Sequence, residues 1–364
     1  MNNKKEKIVV AMSGGVDSSV AASIYTKKNF EVIGVTLKMK SCDDTREKTK
    51  SCCGLDDNIQ AGLVAEKLGI QHFFLDVRND FKEKILKYAW NDYHSGKTPN
   101  PCILCNLYLK FGALIDFAKE IGAIGVVTGH YAILQHTDNN TKLLKGLDDN
   151  KDQTYFLSAL TQEQLNHSYM PLGKLTKLEV RKIAKELDLP NAKKQESQDA
   201  CFGYKGETFA DTLSRTFDPG RNLEQDSGNI ITEDGKIVAK HNGIHNFTIG
   251  QRKGLGVALG KPAYVTKIDQ KSNTITISTN SSLLLADRFT AIKMNWLDFP
   301  YDQFECEVQT RYRQTPIRAI VTKTNDFQAE VKLLTPARAI TRGQALAVYK
   351  GEQLIAGGWI DTLI

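Results

Sequence analysis

With 364 residues, 41% of them hydrophobic and 25% charged, the chain has the size of two or three domains and the balance of an ordinary soluble globular protein. Its net charge of +6 is a mild excess that suits a nucleic-acid partner and many metabolic enzymes equally. No apolar run approaches membrane-spanning length, and the few apolar residues between Lys7 and Ser13 are too few for a signal-peptide core, so a cytoplasmic protein without a membrane partner is expected.

The first half alternates strand and helix. Lys7–Met12 is a short Val/Ile-rich run that predicts a buried strand, followed by a tight turn over Ser13–Ser18 and a helix over Ser18–Lys28. Glu31–Leu37 is a second strand. Asp56–Leu68 predicts an amphipathic helix, with Ile59, Leu63, Val64 and Leu68 inward and Gly69 as its stop. Phe73–Val77 is a third strand and Phe81–His94 a helix. Leu107–Ile121 is a further helix ended by Gly122, and Gly125–Thr128 a fourth strand. Strands separated by helices of this length make a parallel, helix-covered sheet.

After Asp199 the pattern changes to short β-rich runs separated by turn signals, among them Asp234-Gly235, Ser272-Asn273, Arg342-Gly343 and Lys350-Gly351. Thr274–Ser278 and Phe327–Leu333 alternate polar and apolar residues. The expected organisation is a doubly wound α/β domain over 1–205, a small β-containing domain over 206–280 and a β-barrel over 281–364.

Two segments carry chemistry. In Ser13-Gly14-Gly15-Val16-Asp17-Ser18-Ser19 the glycines allow a sharp turn that presents N–H groups, and the following helix start favours an anion. Lysine is absent, so this is not the mononucleotide-kinase loop. Asp17 would help place Mg2+ on a pyrophosphate, unless Asp17 or Ser18 is merely a helix cap. The whole string resembles the pyrophosphate loop of ATP pyrophosphatases.

Seven cysteines occur, at 42, 52, 53, 102, 105, 201 and 306, an odd number that argues against a structural disulfide framework. Pro99 and Pro101 stiffen the loop before Cys102-Ile103-Leu104-Cys105. Cys105 lies near a predicted helix start, where the dipole would favour thiolate. Three readings compete for the cysteines: buried apolar residues, which suits Cys42 and Cys306; half of a zinc site, for which a second ligand pair is missing; and redox or sulfur chemistry by Cys102, Cys105 and Cys201.

The strings SGGVDSS, TPNPCILCN, VTGHYA, KDQTYFL, ESQDACFG, FTIGQRKGLG and ARAITRGQALAVYKGEQLIAGGWI occur in this order. Together they resemble the MnmA family of tRNA-specific 2-thiouridylases over nearly the whole chain. The resemblance implies that Ala11, Met12, Ser13, Gly14, Gly15, Val16, Asp17 and Ser18 hold ATP phosphates, with Leu37 and Gly129 also at the nucleotide. It implies that Asn100, Pro101 and Cys102 face the target base, and that Lys151, Asp152, Gln153, Arg311 and Tyr312 contact tRNA. The implied substrate is the wobble uridine of the tRNAs for Lys, Glu and Gln. Cys105 matches the nucleophile and Cys201 the cysteine that carries a persulfide, supplied by a cysteine desulfurase relay. Adenylation turns the poor uridine leaving group into AMP, and attack by Cys105 leaves a Cys105–Cys201 disulfide for a reductant.

Basic and aromatic residues interleaved at Lys151–Tyr155 and Arg311–Arg313 suit phosphates and splayed bases, although a solvated charged face has the same composition. One position departs from the family: many members have Asp where this chain has Cys102. The resulting three cysteines, Cys102, Cys105 and Cys201, resemble those of tRNA thiolases that hold a [4Fe–4S] cluster through three thiolates. That implies an alternative route in which a cluster takes sulfide in place of the persulfide relay. Two other readings are an ATP-dependent ligase or amidotransferase acting on a small molecule, and a non-catalytic tRNA-binding protein.

Overall fold

Ile8, Val9 and Val10 have no solvent exposure at the centre of β1 (Glu6–Ala11), which explains why this strand is apolar on both faces. The computed structural model describes residues 5–40, 55–138, 140–195, 207–220, 227–299 and 301–364. Cys42, Cys52, Cys53 and Cys201, and with them the 196–203 motif, lie outside the described residues. The chain divides into one unit of Met1–Ile85, Cys102–Glu207 and Glu352–Ile355 and another of Leu86–Pro101, Thr208–Gly351 and Ala356–Ile364. Both units are discontinuous in sequence, whereas the expected segments 1–205, 206–280 and 281–364 are continuous.

In the first unit β1 is flanked by β2 (Phe30–Lys38) and β4 (Ala123–Val127). β3 (Gln71–Asp76) and β7 (Ser168–Tyr169) form the edges of a five-stranded sheet ordered β3-β2-β1-β4-β7. Each neighbouring pair is parallel. The chain leaves β1 toward β2 on one side and later returns through β4 on the other. The crevice beyond the carboxyl ends of β1 and β4 is therefore the topological switch point, the usual ligand position in such sheets. Helix α1 (Val16–Thr26) packs Val16, Val20 and Ala21 into a core with Val10, Val127, Leu172 and Val180.

Helix α2 (Leu55–Leu68) differs from the reading of its inward face. Ala61, Val64 and Ala65 are buried, with Leu68 packed beside them, whereas Ile59 is 51% and Leu63 42% exposed. The inward stripe runs Ala61, Val64, Ala65 and Leu68, the spacing of one helix face. Pro101–Glu120 is one helical run that begins six residues before Leu107, with Pro at its start, and it is wound as a π-helix over Asn106–Ala113. By length and composition alone this run could cross a membrane, against the expectation that none could. More than half of its most apolar window is buried, with Leu109, Phe111 and Leu114 fully inside, so the apolar residues serve the core. A hairpin of β5 (Ala132–His136) and β6 (Thr141–Lys145) follows β4, and Gln353 and Leu354 pair with β6 in the same unit.

In the second unit a four-stranded sheet runs β10-β11-β8-β9, formed by β8 (Gly228–Thr232), β9 (Ile237–His241), β10 (Tyr264–Asp269) and β11 (Thr274–Ser278). Ile230, Val265, Ile275 and Ile277 form its core. The barrel strands are β12 (Leu285–Trp296), β13 (Gln303–Gln309), β14 (Ile317–Asn325), β15 (Gln328–Arg338), β16 (Ala345–Lys350) and β17 (Gln353–Leu363). Their order is β12-β15-β14-β13-β16-β17, and antiparallel pairing of β12 with β17 closes the ring. Alternate residues point inward, so Phe289, Ala291, Val308, Ala319, Val321 and Val331 are fully buried. All four turn signals hold: Gly235, Asn273, Gly343 and Gly351 each have positive φ.

Because Phe289 fills the barrel interior, Phe289→Ala leaves a cavity and lowers stability by about 3–5 kcal/mol, read from the midpoint of urea unfolding.

Candidate active site

The turn between β1 and α1 is built from backbone. Gly14 has φ of +69°, and an added Cβ would stand 2.2 Å from the carbonyl oxygen of Asp57. Gly15 caps α1 in an extended conformation with no side-chain cap bond, so Asp17 and Ser18 are not the capping residue. The Ser18 hydroxyl donates to the Gly15 carbonyl at 3.0 Å and accepts from the Ser13 N–H at 3.2 Å, holding the turn shut. The Ser19 hydroxyl donates to the same Gly15 carbonyl at 2.9 Å. The first N–H groups of α1 are therefore presented without side-chain competition, a fit to phosphate oxygens.

Gly129, just beyond β4, closes this position from the other strand. A Cβ there would come within 2.8 Å of the Ser18 nitrogen. Leu37 is half-buried near the end of β2, while Ala11 and Met12 lead from β1 into the turn, where the Met12 N–H donates to the Val35 carbonyl at 2.8 Å. The nucleotide positions expected from sequence thus cluster at the carboxyl ends of β1, β2 and β4.

Asp17 is engaged within the protein. Lys177 Nζ donates to its two carboxylate oxygens at 2.6 and 2.8 Å, and the Tyr131 hydroxyl donates to Oδ1 at 2.9 Å. Asn191 Nδ2 donates to the Gly14 carbonyl at 3.0 Å and to the Ser19 hydroxyl at 2.9 Å. Lys194 Nζ also donates to the Gly14 carbonyl, at 3.0 Å, and pairs with Asp57. Sequence reasoning missed Tyr131, Lys177, Asn191, Lys194 and Asp57. The capping box of Thr176 and Glu179 marks the helix that carries Lys177, but only the folded chain brings that lysine to Asp17.

Cys102 and Cys105 lie three residues apart in the first turns of the Pro101–Glu120 helix, which puts both thiols toward one side. Cys102 is half-buried and Cys105 buried. The expected thiolate at Cys105 is corrected: burial pushes its thiol up to about 11, Lys110 opposes this, and Cys102 adds to it. Desolvation outweighs the helix dipole because Cys105 is enclosed rather than at an open helix end. His130, beside Gly129, is held well below the ordinary histidine range by burial and by Lys110, and its Nδ1 lies 2.8 Å from the Thr128 hydroxyl.

The residues expected at tRNA vary in availability. Lys151 is half-buried. Asp152 accepts from the Gly146 N–H at 2.9 Å and the Thr154 hydroxyl at 2.6 Å, and burial raises its carboxyl above the ordinary range. Gln153 Oε1 accepts from the Tyr131 N–H at 2.9 Å. Tyr155 is buried, so the interleaved pattern read at Lys151–Tyr155 does not offer that ring for stacking. In the second unit Arg311 is exposed and Tyr312 half-buried, with the Arg313 guanidinium 5.4 Å from the Tyr312 ring centre. Asn100 is buried there, and its loop is held by Thr98 N–H on the Arg342 carbonyl at 2.8 Å and by Gln344 Nε2 on the Thr98 carbonyl at 3.0 Å.

Three family profiles match in succession: a tRNA methyl transferase HUP domain over residues 6–205, a tRNA methyl transferase PRC-barrel domain over 220–279 and an aminomethyltransferase beta-barrel domain over 286–360. The tRNA-specific 2-thiouridylase MnmA of Clostridium perfringens (strain ATCC 13124) is 39% identical over 99% of both chains. That of Rickettsia felis is 41% identical over 99% of this chain and 98% of its own. The chain belongs to the MnmA family. Among solved structures, a 4-thiouridine synthetase in complex with RNA and ATP covers 54% of this chain and 44% of its own at 17% identity, with a TM-score of 0.34, too remote to carry an argument.

Membership in this ATP-using family agrees with the anion-ready turn. Gly14→Ala forces a side chain into a left-handed position against the Asp57 carbonyl and lowers ATP affinity at least about tenfold by calorimetry. Gly62→Ala, which meets open space, leaves that affinity unchanged. With its thiol pushed up to about 11, Cys105 in the free enzyme reacts slowly with iodoacetamide at pH 8. Its rate climbs as pH approaches 11, because only the thiolate attacks; mass mapping of the alkylated peptide follows this.

Proposed function

We propose that this chain makes 2-thiouridine in tRNA, activating the C2 oxygen of a uridine with ATP and replacing it with sulfur. The observation that carries the reading is the match to curated tRNA-specific 2-thiouridylases along 99% of the chain, set beside a phosphate-binding turn at the sheet's switch point. It leaves aside the small-molecule ligase or amidotransferase and the non-catalytic binder.

The α1 N-terminus and Gly14-Gly15 receive the phosphates, while Ala11, Met12 and Leu37 line the nucleotide position with Gly129. Mg2+ neutralises pyrophosphate charge when bound, and Asp17 is the carboxylate suited to it at this turn. The target is the wobble uridine of the tRNAs for Lys, Glu and Gln, met by Asn100, Pro101 and Cys102. Lys151, Arg311 and Tyr312 support tRNA at its backbone and bases; Asp152 and Gln153 act by bracing that segment, since their side chains are used inside the fold.

Sulfur reaches C2 as a persulfide on Cys201, charged by a cysteine desulfurase relay. The terminal sulfur attacks C2, and the C2–O bond breaks with the oxygen leaving on AMP. Cys105 then attacks Cys201 Sγ; the S–S bond breaks, sulfur remains on C2 as the thiocarbonyl, and a Cys105–Cys201 disulfide awaits a reductant. Cys105 must lose its proton first, which its burial resists in the free protein. Proton removal belongs to the substrate-bound state, with the half-buried Cys102 as the neighbouring polar group. This work belongs with tRNA in the cytoplasm.

The placement of Cys102 and Cys105 on one side of a helix favours a second reading for the sulfur step. Those two thiols with Cys201 suit three ligands of a [4Fe–4S] cluster, which when bound would hold sulfide at its open iron. Among the described residues no group of three metal-ligating side chains occurs, and Cys201 lies outside them.

Nucleoside mass analysis of unmodified tRNA-Lys after anaerobic incubation with Mg-ATP separates the routes, one arm holding sulfide and iron-reconstituted enzyme, the other holding iron-free enzyme, cysteine and a cysteine desulfurase. Cys201→Ser and Cys105→Ser lower thiouridine formation at least about a thousandfold on either route while retaining ATP binding. Thiouridine from Cys201→Ser overturns the assignment of Cys201.

A further inference from the structure

The Ser13–Ser19 turn lacks the lysine that kinase-type phosphate loops carry in sequence, yet the fold delivers one. Lys177 stands in the first turn of the Lys177–Glu186 helix, and its ammonium rests on Asp17 in the first turn of α1. We propose that Lys177 is a phosphate-binding residue for the nucleotide, parked on Asp17 until the nucleotide arrives; this rests on the reading of the chain as an ATP-using enzyme.

Three features of the pair support this. The lysine's base is fixed: its N–H donates to Asp148 Oδ2 at 3.0 Å, and Thr176 and Glu179 form a capping box at the helix start. Its stem is enclosed, with the residue 9% exposed, while the Asp17 side chain is 31% exposed and opens to solvent. A buried lysine is a poor means of stabilising a fold, because desolvating the ammonium offsets much of the attraction to its partner. Here it places a positive charge at one point beside the α1 N–H groups that suit phosphate.

Occupancy at Asp17 gives the second argument. Both carboxylate oxygens accept from Lys177, and Oδ1 also accepts from Tyr131. A divalent cation seated on this carboxylate must displace the ammonium, so metal and lysine alternate there. The released ammonium, on a flexible four-carbon stem, then finds phosphate oxygens as its nearest new partners. Lys194 differs: its Nζ is tied to the Gly14 carbonyl and to Asp57, so it braces the turn itself.

Calorimetric titration of Mg-ATP and of adenosine into wild type, Lys177→Met and Lys177→Arg tests this. The expected result is that Lys177→Met weakens Mg-ATP about 10- to 100-fold, the size of one charge-assisted contact, and leaves adenosine within about twofold. Lys177→Arg falls between. Unchanged Mg-ATP affinity, or equal loss for Mg-ATP and adenosine, overturns the proposal in favour of a purely bracing salt bridge. If Lys177→Met does not fold, Lys177→Gln, which keeps a polar hydrogen-bond donor without the charge, enters the same comparison. A wild type that binds no Mg-ATP fails the underlying reading instead, so the two failures are distinct.

Discussion

The nucleotide end of this enzyme depends on one backbone constraint, the left-handed turn at Gly14 pressed against the Asp57 carbonyl. It leaves no room for a Cβ, and it directs the following N–H groups to the crevice where the sheet changes direction. The surrounding polar contacts keep that shape. Asn191 and Lys194 hold the Gly14 carbonyl, the serine hydroxyls hold Gly15, and Gly129 lets the β4 loop approach the α1 start. The serine contacts are local, but Asp57, Gly129, Asn191 and Lys194 come from far along the chain, so the turn is in part a tertiary product.

The thiols follow a different physical rule. The apolar helix that carries Cys102 and Cys105 is needed in the core of its unit, and burial keeps Cys105 protonated. A buried thiol is protected from adventitious oxidation, and its activation is tied to whatever substrate binding changes around it. The same packing that stabilises the unit therefore restrains the Cys105 thiol. Cys102, half-buried three residues earlier on the same helix, puts a second thiol beside Cys105.

Much of the fold was legible because its signals are local. Val/Ile runs bounded by turns located β1, β2, β3 and β4 within a few residues, and Gly or Asn at positive φ marked the turns of the second unit. Local signals fail at α2, which turns Ala61 and Ala65 inward and leaves Ile59 and Leu63 exposed. They fail again at the site, where motif residues such as Asp17, Gly129 and Cys105 could be named but their partners could not. Nothing in the sequence around Lys177 or Tyr131 records that both meet Asp17, since that contact exists only after the sheet is assembled. The Cys105 thiol escapes sequence reading for a related reason: helix position is visible in sequence, enclosure is not.

Whether ATP activates the uridine oxygen itself is read directly by isotope tracing. Unmodified tRNA carrying 18O at C2 of its target uridine is incubated with the enzyme, Mg-ATP and a sulfur donor, and the released AMP is analysed by mass spectrometry. Activation of the oxygen gives one 18O in the phosphate of AMP for each thiouridine formed, because the adenylated oxygen leaves with that phosphate. AMP without 18O alongside newly formed thiouridine would contradict it, since the oxygen would then have left by a route that ATP did not activate.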